Sequence, residues 1–134
     1  MQRLQSRAQF QAVLAGLTVA RSPHFALHRV ALDAPQAAGL FDRQDVWLGA
    51  MVPKRWARRA VTRNAIKRQI YAQSQVIETS FAQAAHVVRL RAGFDRKQFV
   101  SASSDALKQA VRLELQQLFG KLVKTNLSTI KEAT

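Results

Sequence analysis

The basic residues between Lys54 and Arg68 are the group whose types and spacing could do chemistry. Seven of these fifteen residues are Lys or Arg, and no Asp or Glu occurs from Val46 to Ile77. A block of like charge repels itself and contributes little to folding, so a polyanionic ligand explains it better. The less specific alternative is a basic face that only keeps the protein dissolved.

A helix over the second half of this block would separate polar from apolar side chains. Four-residue spacing predicts one polar row, and a second row runs beside it: Arg59, Arg63, Lys67 and Tyr71, then Asn64 and Arg68. The opposite side is predicted to hold the apolar residues Val61, Ala65, Ile66, Ile70, Ala72, Val76 and Ile77. Arg suits bidentate phosphate contact, Lys acts as a point charge, and an Asn amide can bond a base edge or a ribose hydroxyl. The pattern therefore favours a helix with a core face and a nucleic-acid face.

Residues that could catalyse a reaction are not grouped in the sequence. The eight acids are scattered and cysteine is absent. No nucleophile–base pair or Gly-rich phosphate loop is visible, and His24 and His28 have no acid or third His at ligand-like spacing. We therefore predict no catalytic residue, metal ligand or cofactor in the polypeptide, which would bind while another component does the chemistry.

Composition limits the partners to polyanions. The chain has 134 residues with 21 Lys or Arg against 8 Asp or Glu, and a sequence pI near 11.6. Membrane-surface helices carry a bulky apolar face, whereas the apolar side of this helix is modest, so nucleic acid is favoured over a membrane. No apolar run of signal-peptide or membrane-spanning length occurs, which predicts a cytoplasmic protein without an obligate protein partner.

The order of elements predicts an α+β fold, with a small mixed sheet packed with helices. The predicted helices are 6–16, 58–77 and one from 103 or 104 to 120, and the predicted strands are 24–32, 46–52 and 86–91. A short further strand could lie in the loop 33–45, and 93–101 is expected to be a connection. We predict a single RNA-binding domain over 1–120 and a frayed tail over 121–134.

The basic block resembles the signature of the protein component of bacterial ribonuclease P. That signature runs from a strand into a basic pair and then Ala-Val-x-Arg-Asn-x-x-Lys-Arg. Here the strand is 49–52, the pair is 54–55, and the helix motif is 60–68. Phe10-x-x-Val13 is similar to the family's first helix, and 25–27 and 87–91 to its strands, so the resemblance covers roughly 3–119.

The resemblance implies a fold and a function. The fold would be a sandwich with a left-handed βαβ crossover, an exception to the usual right-handed rule. The function would be endonucleolytic removal of the 5′ leader from precursor tRNA, with catalysis and magnesium ions in an RNA subunit. Contacts to that RNA subunit are predicted for eight residues: Lys54, Arg55, Arg58, Arg59, Arg63, Asn64, Lys67 and Arg68. The leader would lie in a cleft between the first helix and the sheet, around Phe10, Val13 and His28.

Several positions depart from the family pattern or allow two interpretations. Ala65 and Tyr71 stand where the family often has cations, and His28 stands where a Tyr is common. Phe10 could stack on the leader or fill the core. Arg89 and Arg91 are predicted to point together at phosphate, and a solvated edge would look the same. The alternative function is a structural RNA-binding protein, such as a ribosomal or assembly factor, without a leader cleft or a role in cleavage.

Overall fold

The structure, a computed structural model, describes the backbone of residues 1–94 and 105–133 and the side chains of 1–94 and 105–122. Within these ranges the chain forms five strands and three α-helices. In chain order they are β1 (Gln2–Arg3), α1 (Arg7–Leu14), β2 (Leu17–Arg21), β3 (Phe25–Val30), β4 (Trp47–Met51), α2 (Ala60–Val76), β5 (Ala85–Leu90) and α3 (Asp105–Ala133). The predicted α+β class with a small mixed sheet and helices is confirmed.

The five strands form one sheet in the order β1-β4-β5-β3-β2. The pairs β1–β4 and β4–β5 are parallel, and β5–β3 and β3–β2 are antiparallel. The helix α2 connects the parallel neighbours β4 and β5, which makes a βαβ unit. The sheet has two ends, which we name by their charge. The basic end is formed by Arg21, Phe25, Met51 and Leu90, and the acidic end by Leu17, Val30, Trp47 and Ala85.

Two strands were missed by the sequence patterns. β1 has two residues, too few to show a periodicity. β2 begins at Leu17, which was expected to continue the apolar stripe of the first helix but is instead 68% exposed in an edge strand. No strand forms in 33–45, where the described structure is loop with a single 3₁₀ turn, Pro35–Ala37.

The helix α1 begins at Ser6, as its sequence predicts. The Ser6 hydroxyl accepts from the Gln9 N–H at 3.2 Å, and the Gln9 side chain accepts from the Ser6 N–H at 3.1 Å, which completes a capping box. The helix packs its buried Val13 against one face of the sheet, the α1 face, together with Val30 and Val87. Gly49 in β4 allows this approach, because a Cβ there would lie 2.6 Å from the Phe10 ring.

The helices α2 and α3 cover the opposite face of the sheet, so the molecule has three layers. Ile66 and Ile70 of α2 pack with Leu115 and Leu118 of α3 over the central strands. The predicted end of the last helix at Gly120 is wrong: α3 continues to Ala133, and Leu122 is 1% exposed within the core. Asp105 lies in the first turn of α3 as predicted. The predicted helix start at Ser103 or Ser104 and most of the predicted connection lie outside the described residues.

Candidate RNA-binding surface

The segment between β4 and α2 carries the first part of the basic block. It leaves the basic end of the sheet at Val52 and is closed by a turn in which the N–H groups of Trp56 and Ala57 both donate to the Pro53 carbonyl, at 3.1 and 3.2 Å. Buried Val52 and Ala57 hold it to the core. Four cations of the segment are left exposed: Lys54, Arg55, Arg58 and Arg59. We call this segment, residues 53–59, the basic loop.

Trp56 both anchors the basic loop and presents its ring to solvent. Its backbone anchors the turn, while its ring is 37% exposed and the Arg55 guanidinium carbon lies 5.3 Å from the ring centroid. The ring is thus available beside a cation, where a base or a sugar could pack on it.

Arg63 stabilises the basic loop in addition to adding a positive charge to the surface. Its Nη1 donates to the carbonyls of Ala57 and Arg58, at 3.0 and 2.7 Å, and its side chain is half-buried. The guanidinium therefore fixes the loop against the first turn of α2. No side chain caps this helix, and its first turn contains no acid. The positive end of the helix dipole accordingly adds to the charge of the loop.

The exposed face of α2 differs from the predicted one. Ile66, Ile70 and Ser74 form its buried line, and Val61 and Val76 are 52% and 78% exposed. The prediction that Val61, Ala72 and Val76 face the core is wrong, because the buried line is narrow and lies on the side of Arg63. Asn64, Lys67 and Arg68 are exposed as predicted.

Tyr71 does not point to solvent with the polar row in which the sequence pattern placed it. Its hydroxyl accepts from the Ala50 N–H at 3.3 Å, and the Arg3 guanidinium carbon lies 3.9 Å from its ring centroid. The side chain therefore joins α2 to the edge of β4, and Arg3 supplies a cation where the family often has one at this position.

The exposed cations of this surface have no acidic partner. In the described ranges, contacts between acidic and basic groups include those of the Met1 amine with Asp45 and Glu78 and that of the His24 ring with Glu114. The seven Lys and Arg residues from Lys54 to Arg68 take part in none of these. A surface of uncompensated cations attracts polyanions and binds phosphates with counterion release.

The α1 face of the sheet contains the three residues predicted to line the cleft, in different environments. Phe10 is half-buried with its ring on Gly49, so part of the ring is open for stacking. Val13 is 0% exposed, and it can shape the cleft only from beneath. His28 is 7% exposed, which leaves too little of the imidazole to stack on a base.

His28 is bonded through both ring nitrogens. Nε2 accepts from Arg89 Nε at 3.2 Å, and Nδ1 lies 3.2 Å from the Thr18 hydroxyl. Burial, with the nearby charges of Arg89 and Arg21, lowers the pKa of His28 below its ordinary 6.5. The ring is therefore neutral at physiological pH, with the lone pair on Nε2 facing Arg89.

Two residues that the sequence pointed to have structural partners far along the chain. His24 Nδ1 lies 2.7 Å from Glu114 Oε1, and the other carboxylate oxygen accepts from the Ser22 hydroxyl and the His24 N–H. Arg91 donates from Nε to the Ser22 carbonyl at 2.9 Å, so it joins the turn between β2 and β3. These contacts span roughly 70 to 90 positions, and no local pattern could have revealed them.

Two further kinds of site were sought in the described part of the chain, a metal-ligand cluster and a membrane-spanning helix. No group of three or more His, Cys, Asp or Glu residues there could hold a metal ion. Among the same residues, no helix is long and apolar enough to cross a bilayer. The fold and its surfaces thus define a basic α+β domain that binds nucleic acid.

Comparison with known proteins narrows this class to one family. The family model described as Ribonuclease P matches residues 1–123. The ribonuclease P protein component of Ralstonia pickettii is 34% identical over 118 residues, which are 87% of this chain and 76% of that protein. That of Bordetella parapertussis is 30% identical over 122 residues, or 91% and 92% of the two chains. The solved Staphylococcus aureus RNase P protein has a TM-score of 0.65 at 20% identity, covering 90% of this chain and 94% of that one. The chain belongs to the ribonuclease P protein family, and it is thus the protein subunit of a tRNA-processing ribonucleoprotein with ribonuclease P RNA as its partner.

Proposed function

We propose a division of labour within this ribonucleoprotein. The basic loop and the exposed residues of α2 bind the RNA subunit, which carries out hydrolysis with its magnesium ions. The α1 face of the sheet holds the 5′ leader of precursor tRNA. The polypeptide adds affinity for the leader and shields phosphate charge, without a reacting group of its own.

The observation that carries this proposal is the meeting of two cationic surfaces at one end of the sheet. The basic loop follows Met51, and Met51 pairs in register with Arg89 on the α1 face. Arg21 lies in the same cross-strand row, because it pairs with Ala26, which pairs with Arg89. An RNA subunit bound to the loop would therefore lie next to a leader bound on the α1 face.

Reconstitution with the RNA subunit from the same source tests the proposal. At low magnesium, addition of the protein is expected to stimulate cleavage of a precursor tRNA, because the protein's cations replace part of the magnesium in screening phosphate charge. The stimulation should be lost when Asn64 and Arg68, both exposed, are changed to Ala. Arg43→Gln, which removes an exposed cation at the acidic end, serves as the matched control.

The same reconstituted complex distinguishes the proposed function from the alternative, a structural RNA-binding protein. That alternative predicts binding to the RNA without stimulation of cleavage, and equal affinity of the complex for precursor and mature tRNA. The proposed function predicts tighter binding of the precursor, because only the precursor offers a leader. Equal affinities together with unstimulated cleavage would contradict the proposal.

A further inference from the structure

His28 and Arg89 form a pair that neither packing nor charge balance requires. Arg89 Nε donates to His28 Nε2, so an arginine is held by a neutral acceptor rather than by a carboxylate. A carboxylate would neutralise the guanidinium, whereas an imidazole orients it and leaves its charge intact. In the described ranges the Arg89 side chain makes no other hydrogen bond, so both of its terminal amino groups remain available.

Arg89 determines which nitrogen of His28 accepts, and Thr18 bonds the other. The Thr18 hydroxyl lies 3.2 Å from Nδ1, and Nε2 must accept because Arg89 Nε can only donate. The ring therefore carries its proton on Nδ1 and donates to Thr18. Thr18 and His28 are register partners on adjacent strands, and the relay Thr18–His28–Arg89 crosses from β2 to β5 on the α1 face.

The position of Arg89 suits a phosphate of a bound strand. Arg89 and Arg21 both pair with Ala26, one from each side, so their backbones are two strand spacings apart, or roughly 10 Å. Ala26 between them has no long side chain. In the neighbouring row, Gly49 pairs with Val87 and carries the Phe10 ring. One row thus offers an aromatic ring on which a base can stack, and the next row offers guanidinium groups that can bind a phosphate. Bases and phosphates alternate in the same way along single-stranded RNA.

We propose that neutral His28 is a positioning residue that aims the Arg89 guanidinium at a leader phosphate, and that protonation of His28 weakens leader binding. The inference rests on the proposed function and deepens it. A proton on Nε2 removes the lone pair that accepts from Arg89 and places a second cation beside it. Arg89 then loses its orientation, and the side chain is free to turn away from the leader.

The charges around His28 set the direction of this response. The titratable or charged groups that face it are Arg89 from β5 and Arg21 from β2. The only charged residue of α1 is Arg7, at the start of that helix. No acid is therefore among these groups, and His28 is the residue of this cluster whose charge can change near neutral pH. Because its pKa lies below 6.5, leader affinity is expected to be full above about pH 6.5 and to fall below it.

Four variants of the assembled ribonucleoprotein test the relay. The measured quantity is the affinity ratio between a precursor tRNA and the same tRNA without its leader. Arg89→Gln and His28→Leu are each expected to lower this ratio about tenfold at pH 7.5, as the loss of one oriented charge-assisted contact implies. The double variant should lose no more than Arg89→Gln alone, because both changes remove the same contact. His28→Gln should keep most of the ratio, because its amide oxygen can accept from Arg89.

The pH profile separates positioning from a merely structural role. The wild-type ratio should fall as the pH is lowered below 6.5, whereas the His28→Gln ratio should stay flat, since an amide does not titrate. This comparison remains decisive if His28→Leu fails to fold. Nitrogen-15 spectra of the free protein provide a readout independent of RNA, and they should show His28 with its proton on Nδ1. A proton on Nε2, or a wild-type ratio for folded His28→Leu, would overturn the inference.

Failure of the inference can be told from failure of the proposed function. If the wild-type complex binds precursor and mature tRNA equally, the proposed leader site is wrong. If the wild-type complex prefers the precursor and Arg89→Gln keeps that preference, the leader site stands and the relay is refuted. Arg43→Gln should leave both the ratio and its pH profile unchanged.

Discussion

The two ends of the sheet use their polar groups in opposite ways. At the acidic end they bond to one another: the Met1 amine lies 2.5 Å from Glu78 and 3.8 Å from Asp45, and Gln2 donates to Asp45 at 3.1 Å. These contacts raise the pKa of the amine and lower that of Asp45, the bonds to Glu78 and Gln2 being the largest causes. At the basic end the exposed cations of the basic loop and of α2 take part in none of the ion pairs found within the described ranges. Polar groups that bond to one another at the acidic end stabilise the fold. Uncompensated charges at the basic end are available to a ligand.

The difference also orients the molecule toward RNA. Four of the eight acids lie at the acidic end, in the loop between β3 and β4 or just after α2: Asp33, Asp42, Asp45 and Glu78. The basic loop and the cations of the α1 face lie at the other end. The resulting charge separation favours approach of a polyanion to one end only. Changes at the basic end should therefore alter binding, and changes at the acidic end should alter stability.

The largest expected effect concerns His86, a buried neighbour of the acidic end. Its side chain is 0% exposed, Nδ1 lies 3.2 Å from the Trp47 carbonyl oxygen, and Nε2 has no partner in the described structure. Burial lowers its pKa to about 4. The stability due to the neutral ring is full above the unfolded pKa of about 6.5 and is lost as pH falls toward the folded pKa. The loss at low pH is about 3 kcal/mol in the free energy of unfolding.

Urea unfolding at several pH values measures this effect. His86→Leu cannot titrate, so the difference in stability between wild type and variant should shift by about 3 kcal/mol in favour of the variant between pH 7.5 and 3.5. Using the difference cancels the contributions of the carboxylates. Parallel pH profiles for the two proteins would refute the prediction, and RNA affinity at pH 7.5 should be the same for both.

The second effect is on RNA binding at the basic end. Changing Lys54, Arg55, Arg58 and Arg59 to Gln together should lower the slope of log affinity against log salt by about 3 to 4, since each phosphate contact releases close to one counterion. The loss of affinity between 50 and 200 mM salt should then be smaller by about a hundredfold. Titration of labelled ribonuclease P RNA at four salt concentrations provides the slopes.

The melting temperature of this quadruple variant is the control for the binding measurement. Removing cations that repel one another and have no acidic partner should leave thermal stability unchanged or raise it. Arg43→Gln at the acidic end should change the salt slope by less than about 1. A quadruple variant that melts markedly lower would show that the basic loop stabilises the fold, and the contrast between the two ends would fail.

The third prediction concerns Glu114, an acid that lies at the basic end. Glu114 of α3 accepts from the Ser22 hydroxyl and the His24 N–H, at 2.5 and 2.7 Å, and is mostly buried. It is an internal group that fastens α3 to the turn between β2 and β3. Glu114→Ala should cost about 2 kcal/mol of unfolding free energy, as expected for charge-assisted hydrogen bonds. Gln109→Ala, at an exposed position of the same helix, is the control; equal losses in the two variants would argue against the role of Glu114.

The sequence predicts those features that depend on local spacing. The cap of α1 is visible as Ser6, and the strand β4 as an apolar run before Pro53. The buried Ile66 and Ile70 follow from helical periodicity. The exposed cations of the basic loop follow from the absence of acids around them. The order of the longer elements follows from the same patterns, and the family resemblance adds the prediction of two RNA-binding surfaces.

Features that depend on distant residues were not predictable. Tyr71 appeared to belong to the exposed row, but the unpaired edge of β4 beyond the two-residue β1 gives its hydroxyl a backbone partner. His28 was expected to stack on RNA, and it is buried because Thr18 and Arg89 flank it on neighbouring strands. Gly120 was expected to end the last helix, yet a Cβ there would meet no atom within 4 Å, and the helix passes through it. For Tyr71 and His28, tertiary contacts decided the outcome over local propensity.

The smallest expected effect concerns Arg63. It tests whether this residue acts chiefly in stabilising the fold or in binding RNA. Its guanidinium bonds two carbonyls of the basic loop, as internal groups do, yet it lies among the cations that we propose bind RNA. Arg63→Gln should cost about 1 kcal/mol in unfolding free energy, because the bonds are partly exposed. It should also weaken RNA binding indirectly, by releasing the loop. Arg63→Lys keeps the charge but loses the planar donors, so it separates the two roles. If Arg63 acts chiefly by fixing the loop, the Lys variant should bind RNA as weakly as the Gln variant while retaining the wild-type salt slope. If it acts chiefly as a phosphate ligand, Lys should restore most of the affinity.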